Sequence, residues 1–477
     1  NSLCFVSDAG GKTEIIKATR GDAGKFWWQN DTFTLQPITT DGNQKGSLQF
    51  SPDGSKLGLV LGRGDLAVID ADGKNGRVLS PGYSPPDFDW SPDGKWIAFS
   101  RQDSDFNSDI YLLPLDGSRA AFNVSRHPDN EGEPVWSPDG KILAFTGRRS
   151  GEEVDIHYLY LNKADDERDS RDRALEKALE KMKSRKTASP SRPPGAAGAT
   201  KPEGEAAKPA EGTTPAAKPA TPAVVIDFDR MNERLRTIKI ADSAESNLFW
   251  SPDGKKLGFS GSVNGTRGTY YVEFPDSPTP KPLNSGTGSN PRWLKNNSVV
   301  WLASGVPASF TPSASGAAPP SPAASVMSRL GRGGPQPATA TAAPSTGDSS
   351  GAQYRFSALQ EVNLPAKHAA VFDLCWRTMR DNWYDERLNN RDWKQVKEKY
   401  LPMAFASPDL ESLATTVNMM LGELNGSHLA FTANGGTNPM RRGTPAPAAN
   451  EAPTGKWSLT TVHPGLLFDE KFAGPGW

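Results

Sequence analysis

The sequence predicts a mainly β chain: a β-propeller of about six visible four-stranded blades, in a ring of seven, followed by a small α-helical domain. Three observations predict it. An aromatic-Ser-Pro-Asp-Gly motif occurs at Phe50 to Gly54, Trp90 to Gly94, Trp136 to Gly140 and Trp250 to Gly254, with a weaker copy at Trp293-Leu294-Lys295-Asn296-Asn297. Neighbouring copies lie 40 (50 to 90), 46 (90 to 136) and 43 (250 to 293) residues apart, near the period of a four-stranded propeller blade. From Leu364 the apolar period changes from two to about 3.6, the period of a helix face.

Within each repeat, Pro fixes φ at the first central turn position and Gly tolerates positive φ, so Ser-Pro-Asp-Gly between two short apolar runs reads as a tight hairpin. About fifteen residues on comes a second strand pair, as in Asp109 to Leu115 followed by Ala121 to Val124. The gap from 136 to 250 holds one blade with an insertion between its third strand, Asp155 to Tyr160, and its fourth, Leu235 to Ile238. The inserted chain (163–230) opens with charged residues alternating around Leu175, Leu179 and Met182, the pattern of an exposed salt-bridged helix. It continues as an Ala/Pro/Lys tract too poor in apolar residues to order itself. A second such tract (304–352) interrupts the last blade. With a partial blade at residues 1–39, the propeller extends to residue 362. The chain opens at Asn1 in strand-like sequence, and a fragment of a longer protein is expected.

In the helical segment (363–435), Val371, Leu374, Cys375, Thr378, Met379 and Trp383 form one stripe. Trp393, Val396 and Tyr400 mark a second helix. Ser407 is expected to cap a third, with Pro408 in its first turn and a buried face running from Leu410 to Leu424. Asn425-Gly426 ends it, and Ser427-His428 follows on the chain reversal, well placed to face a cleft. A hydrogen-bonded surface pair is the alternative for these two residues.

Composition narrows the function. Balanced charge, net −1, offers no field for nucleic acid or an anionic membrane. No apolar run reaches the ~18 residues of a membrane span. Cys4 and Cys375 have neither disulfide nor metal-ligand spacing and read as small core residues. His127, His157, His368 and His463 lack metal-ligand spacing as well. Phosphate-binding, dinucleotide and nucleophile-elbow motifs do not occur, so no cofactor is expected and the visible chain holds no complete active site. The loop pair Arg148-Arg149 reads either as a solvated face or as a site for an anionic peptide end.

The order of these parts, with Val225-Ile226-Asp227-Phe228-Asp229, Trp376, Arg380-Asp381, Trp383-Tyr384-Asp385, Asp392-Trp393 and, most specifically, Gly422-Glu423-Leu424-Asn425-Gly426-Ser427-His428, resembles the tricorn protease family. The resemblance implies a serine peptidase that trims oligopeptides, its propeller acting as a gate or sieve. It matches His428 to the family's catalytic base and Ser427 to an accessory residue orienting the imidazole, and it puts nucleophile, acid and oxyanion donors beyond Trp477. Residues 436–455 would be a linker and 456–477, with Gly465 to Asp469, the start of a PDZ-like domain. A homo-oligomer and a cytoplasmic location are implied too. The Ser-Pro-Asp-Gly repeat alone would equally suit an envelope propeller in the periplasm, acting as a non-catalytic binding or scaffold protein.

Overall fold

A computed structural model describes residues 2–8, 13–149, 151–168, scattered positions from 171 to 182, and 223–274, 277–312, 351–354, 363–426 and 429–432. Six antiparallel sheets follow one another, each a meander in which sequence neighbours pair. The first has three strands, β1 (Ser2–Ser7), β2 (Glu14–Arg20) and β3 (Phe33–Pro37); the other five have four. These are β4 (Lys45–Phe50) to β7 (Arg77–Ser80), β8 (Phe88–Trp90) to β11 (Phe122–Asn123), β12 (Glu131–Trp136) to β15 (Arg236–Ile238), β16 (Ser246–Trp250) to β19 (Ser277–Asn284), and β20 (Ser289–Trp293) to β23 (Ala352–Gln353). The architecture is the propeller the repeat predicts.

The Ser-Pro-Asp-Gly turn works by the same atoms in all four full copies. Its Ser hydroxyl donates to the Asp carboxylate at 2.6 Å and accepts the backbone N–H five residues on, as Ser137 does from Ile142 at 2.9 Å. The carboxylate accepts a second N–H from the residue after Gly. Gly then turns back at positive φ, +75°, +68°, +71° and +67° at residues 54, 94, 140 and 254, where a Cβ would clash with the backbone. These hydrogen bonds hold the Asp53 carboxyl down at about 2.

The aromatic residue before each turn ends the first strand of its sheet, and these first strands lie side by side: β8 against β12, β12 against β16, β16 against β20. Side chains tie the seams. The Trp90 indole donates to the Gln49 carbonyl at 3.3 Å, and the Trp250 indole to the Val135 carbonyl at 3.4 Å. Asp89 accepts from the Gln49 amide on one side and the Trp136 backbone on the other. Between sheets lies the apolar core. Leu143, Phe145 and Leu159 pack with Ala98, Ile110 and Leu112 across one seam; Ile142, Ala144 and Ile156 pack with Leu257, Phe259 and Val272 across the next.

After β14 (Asp155–Tyr160) the chain enters a short helix, α1 (Lys163–Asp166), and the positions described between 171 and 182 are helical and exposed. On its return, Val224 donates its N–H to Asp93, and the buried Arg234 caps the carbonyls of Tyr160, Leu161 and Asp227 before β15 resumes the sheet.

Three helices form the second core: α2 (Leu364–Asn382), α3 (Trp393–Phe405) and α4 (Leu410–Gly422). Trp376 and Trp393 stack at 6.5 Å, each indole donating to the other's backbone carbonyl at 2.7 and 3.0 Å. Cys375 is buried here, its thiol pushed up to about 12 by burial; Cys4 is half-buried. Ser407 does not cap α4. Asp409 does, accepting from Ser412 N at 2.8 Å, while Ser407 turns back to donate to Met403 O at the end of α3. A hydroxyl can bond back to a carbonyl four residues earlier, whereas the Asp409 carboxylate can only accept, which suits it to the free N–H groups of a helix start.

Because Ser137 is fully buried and serves both strands of its turn, Ser137→Ala should cost about 1–2 kcal/mol and leave the fold intact. Urea unfolding measures this; a change near zero would show that the hydroxyl is not part of the turn's stability.

Candidate active site

Ser427 and His428 lie outside the described residues, but the chain on both sides of them is held tightly. Upstream, α4 gives way at Glu423, whose carboxylate accepts from Lys399 Nζ at 2.7 Å and Tyr400 OH at 2.8 Å. Those bonds, Lys399 foremost, hold its carboxyl below the ordinary range. Asn425 adopts φ +49°. Gly426 then passes beneath Trp383 so closely that a Cβ would sit 2.4 Å from the ring. Downstream, Phe431 is buried, and Asn418 on α4 clamps its backbone, accepting its N–H at 2.7 Å and donating to its carbonyl at 2.9 Å.

A second loop braces the turn. Leu388, Asn389 and Asn390 run consecutively at φ +50°, +55° and +56°, a left-handed stretch that costs L-residues free energy and persists only when its surroundings enforce it. Asp385 enforces it by accepting the N–H groups of Arg387 and Asn389. The result places the Asn389 amide 2.6 Å from the Leu424 carbonyl. Sequence reading passed over Asn389 and Asn418. The only signal was at Asn389, in a polar Asn-Asn loop tolerant of positive φ; Asn418 carried none.

Arg148 and Arg149 sit on the loop after β13 (Ile142–Gly147) and have different surroundings. The Arg149 guanidinium turns into the blade, 3.1 Å from the Glu131 carboxylate, and donates to the Ser125 carbonyl. Arg148 is exposed, 4.0 Å from Glu152. Glu131 is 2% exposed; burial pushes its carboxyl up to about 8 against the pull of Arg149. His157 bonds Thr237 and the Gly147 carbonyl, and burial pushes it down to about 4. His368 is buried beneath the Ser407 carbonyl. Both are packed residues of their own cores. Among the described residues, no group of three or more His, Cys, Asp or Glu could hold a metal ion, and no helix is long and apolar enough to cross a membrane.

The chain is thus a propeller joined to a domain of three helices. Residues 364–421, which span α2 to α4, match the family model of the Tricorn protease C1 domain. The crystal structure of the tricorn protease superposes with a TM-score of 0.54 at 12% identity, covering 90% of this chain and 37% of that one. Two curated relatives, a dipeptidyl-peptidase 5 of Aspergillus oryzae and a probable dipeptidyl-peptidase 5 of Aspergillus flavus, are 34% identical over 96 residues, 19% of this chain and 13% of each relative. The chain is tricorn-like in fold and in its helical domain, and it corresponds to a minor part of the length of these relatives.

Two outcomes check this geometry. Gly426→Ala should displace the Trp383 ring and change tryptophan fluorescence while the propeller keeps its stability; an unchanged spectrum would mean the turn has room to spare. Glu245, 2% exposed at the start of β16 (Ser246–Trp250), is pushed from 4.5 up to about 7, by burial first and then by the charges of Asp155 and Glu153. Its folded-state pKa is raised, so its contribution to stability is complete below about pH 4.5 and is lost as pH rises through about 7. Glu245→Gln should therefore be more stable than the parent at pH 8 and little different near pH 5. Thermal unfolding at both pH values decides it, and parallel curves would rule the assignment out.

Proposed function

We propose that this chain is part of a tricorn-like serine peptidase acting on oligopeptides, with His428 as general base and Ser427 orienting the imidazole. The observation that carries the proposal is the match of α2 to α4 with the Tricorn protease C1 domain, since α4 leads within six residues of its end, Gly422, to His428. The braces at Glu423, Asn389 and Asn418 support it, because a general base must be held within hydrogen-bond reach of its proton donor. His428 would take the proton of a nucleophilic Ser hydroxyl as that oxygen attacks the scissile carbonyl, then return it to the departing amine. Nucleophile, acid partner and oxyanion donors would come from chain outside these 477 residues, which by themselves would then turn over no peptide.

In this reading residues 1–362 form the propeller, 363–435 the helical domain, 436–455 a linker, and 456–477 open a PDZ-like domain. The propeller admits short extended peptides and excludes folded protein, a role supported by the close lateral packing of its first strands. Glu131 and the Ser125 carbonyl already engage Arg149, which leaves Arg148 as the member of that pair open to an anionic peptide end. A homo-oligomer working in the cytoplasm goes with the same reading.

In the complete protein, His428→Ala should abolish peptide hydrolysis, a loss of several orders of magnitude in kcat, with an unchanged circular dichroism spectrum. Full activity in that variant would overturn the assignment.

A further inference from the structure

Counting back five residues from the aromatic of each repeat reaches Lys45, Pro85, Glu131, Glu245 and Gly288 in the second to sixth sheets. Lys45, Glu131 and Glu245 are buried, their exposure 6%, 2% and 2%, and so plug their seams with an ionisable side chain, while Pro85 is exposed. Gly288, like Pro85, has no ionisable side chain, and beside Gly288 a cavity of about 380 Å³ opens between the fifth and sixth sheets.

Its lining is almost entirely polar: Ser246, Ser260, Thr287, Ser289 and Ser304 contribute hydroxyls, Arg267 its guanidinium, and Leu302 the only apolar side chain. No carboxylate and no aromatic ring lines it. Arg267, on β18 (Thr266–Glu273), has no ion pair or hydrogen bond from its side chain among the described residues, and neither do the hydroxyls of Ser260, Thr287, Ser289 and Ser304. By contrast, Arg149 faces the buried Glu131 and Lys45 the half-buried Glu14, whereas Arg267 is exposed. A guanidinium without a counter-ion, beside four hydroxyls without partners, presents several donors and one positive charge to whatever enters.

We infer that this cavity is a binding site for an oxyanion, a carboxylate or phosphate group, carried by a small polar molecule. Arg267 supplies the charge and the fork of donors, and the Ser and Thr hydroxyls complete the hydrogen bonding that the protein leaves open. The absence of aromatic and acidic lining argues against an apolar or cationic ligand. This site is separate from the turn at His428 and stands whether or not that residue is a catalytic base.

The test is calorimetric titration of the protein with inorganic phosphate, gluconate and glucose, repeated on Arg267→Gln and Ser260→Ala. At least one anion should bind and glucose should not. Arg267→Gln should weaken binding about tenfold or more, in line with the loss of a charge-assisted hydrogen bond, and Ser260→Ala should weaken it less. Binding of phosphate alone, of gluconate alone or of both identifies the group recognised, and each supports the site. Thermal unfolding of both variants should match the parent, since neither side chain has a partner to lose. Failure of both anions to bind at millimolar concentration would overturn the inference, as would equal affinity of Arg267→Gln or equal binding of glucose.

Discussion

The propeller depends on what happens where one sheet's first strand meets the next. These strands cannot pair edge to edge as in a continuous sheet, so their backbone N–H groups need partners from elsewhere. Carboxylates of the preceding sheet provide them: Asp87 accepts from Glu133 N at 3.1 Å and Asp89 from Trp136 N at 2.9 Å, and the Asn247 and Leu248 N–H groups act on Glu133 in the same sense. A bulge makes the groups available. Three residues before the aromatic, Ser47, Glu133, Asn247 and Asn290 all take positive φ, between +50° and +54°, and the register of each strand pair shifts there. At the fourth and fifth sheets the strain of one residue in the first strand is thus offset by hydrogen bonds across the seam.

The helical domain meets the propeller through two arginines. Arg377 on α2 pairs with Asp8 at 2.9 Å while also holding Asp373, and Arg63, on the turn between the second and third strands of the second sheet, donates to the Asp381 and Trp383 carbonyls. The second contact places a cation on the orphan carbonyls at the end of α2, an arrangement that stabilises by about 0.3–1 kcal/mol at an exposed helix end. It also fixes Trp383, the ring beneath which Gly426 passes. A continuous chain of contacts therefore runs from a propeller turn, through Trp383, to the residues adjoining Ser427.

How much of this the sequence disclosed follows from the range of each interaction. The Ser-Pro-Asp-Gly turn closes within six residues, so its residue types specify its geometry almost completely, and the repeat made the propeller legible. The helices were legible as apolar stripes, but the cap of α4 was not. Ser407 and Asp409 are both good caps on composition, and the choice depended on Ser407 finding the Met403 carbonyl of the preceding helix. Long-range partners left even less trace. Nothing local to Arg149 reveals that it will bind Glu131, 18 residues earlier, nor does Asn418 announce that it will clamp Phe431.

The same reasoning explains why the repeat, which is so regular at its turns, diverges five residues before each aromatic. A turn must form identically in every blade, so its chemistry is constrained by backbone geometry alone. The seam position is constrained only by what its neighbour offers. Lys45 pairs with Glu14 and Asp41, and Glu131 lies against Arg149, whereas Glu245 has the acids Asp155 and Glu153 nearby, which together with burial raise its pKa. Each plug is a separate local solution to burying a charge between sheets. At Pro85 and Gly288 there is no charge to solve for, and around Gly288 the hydroxyls and Arg267 remain without the internal partners that Lys45 and Glu131 find. A propeller can thus keep its architecture uniform and still make one seam chemically distinct, because the atoms that build the blade and those that line the seam are different sets.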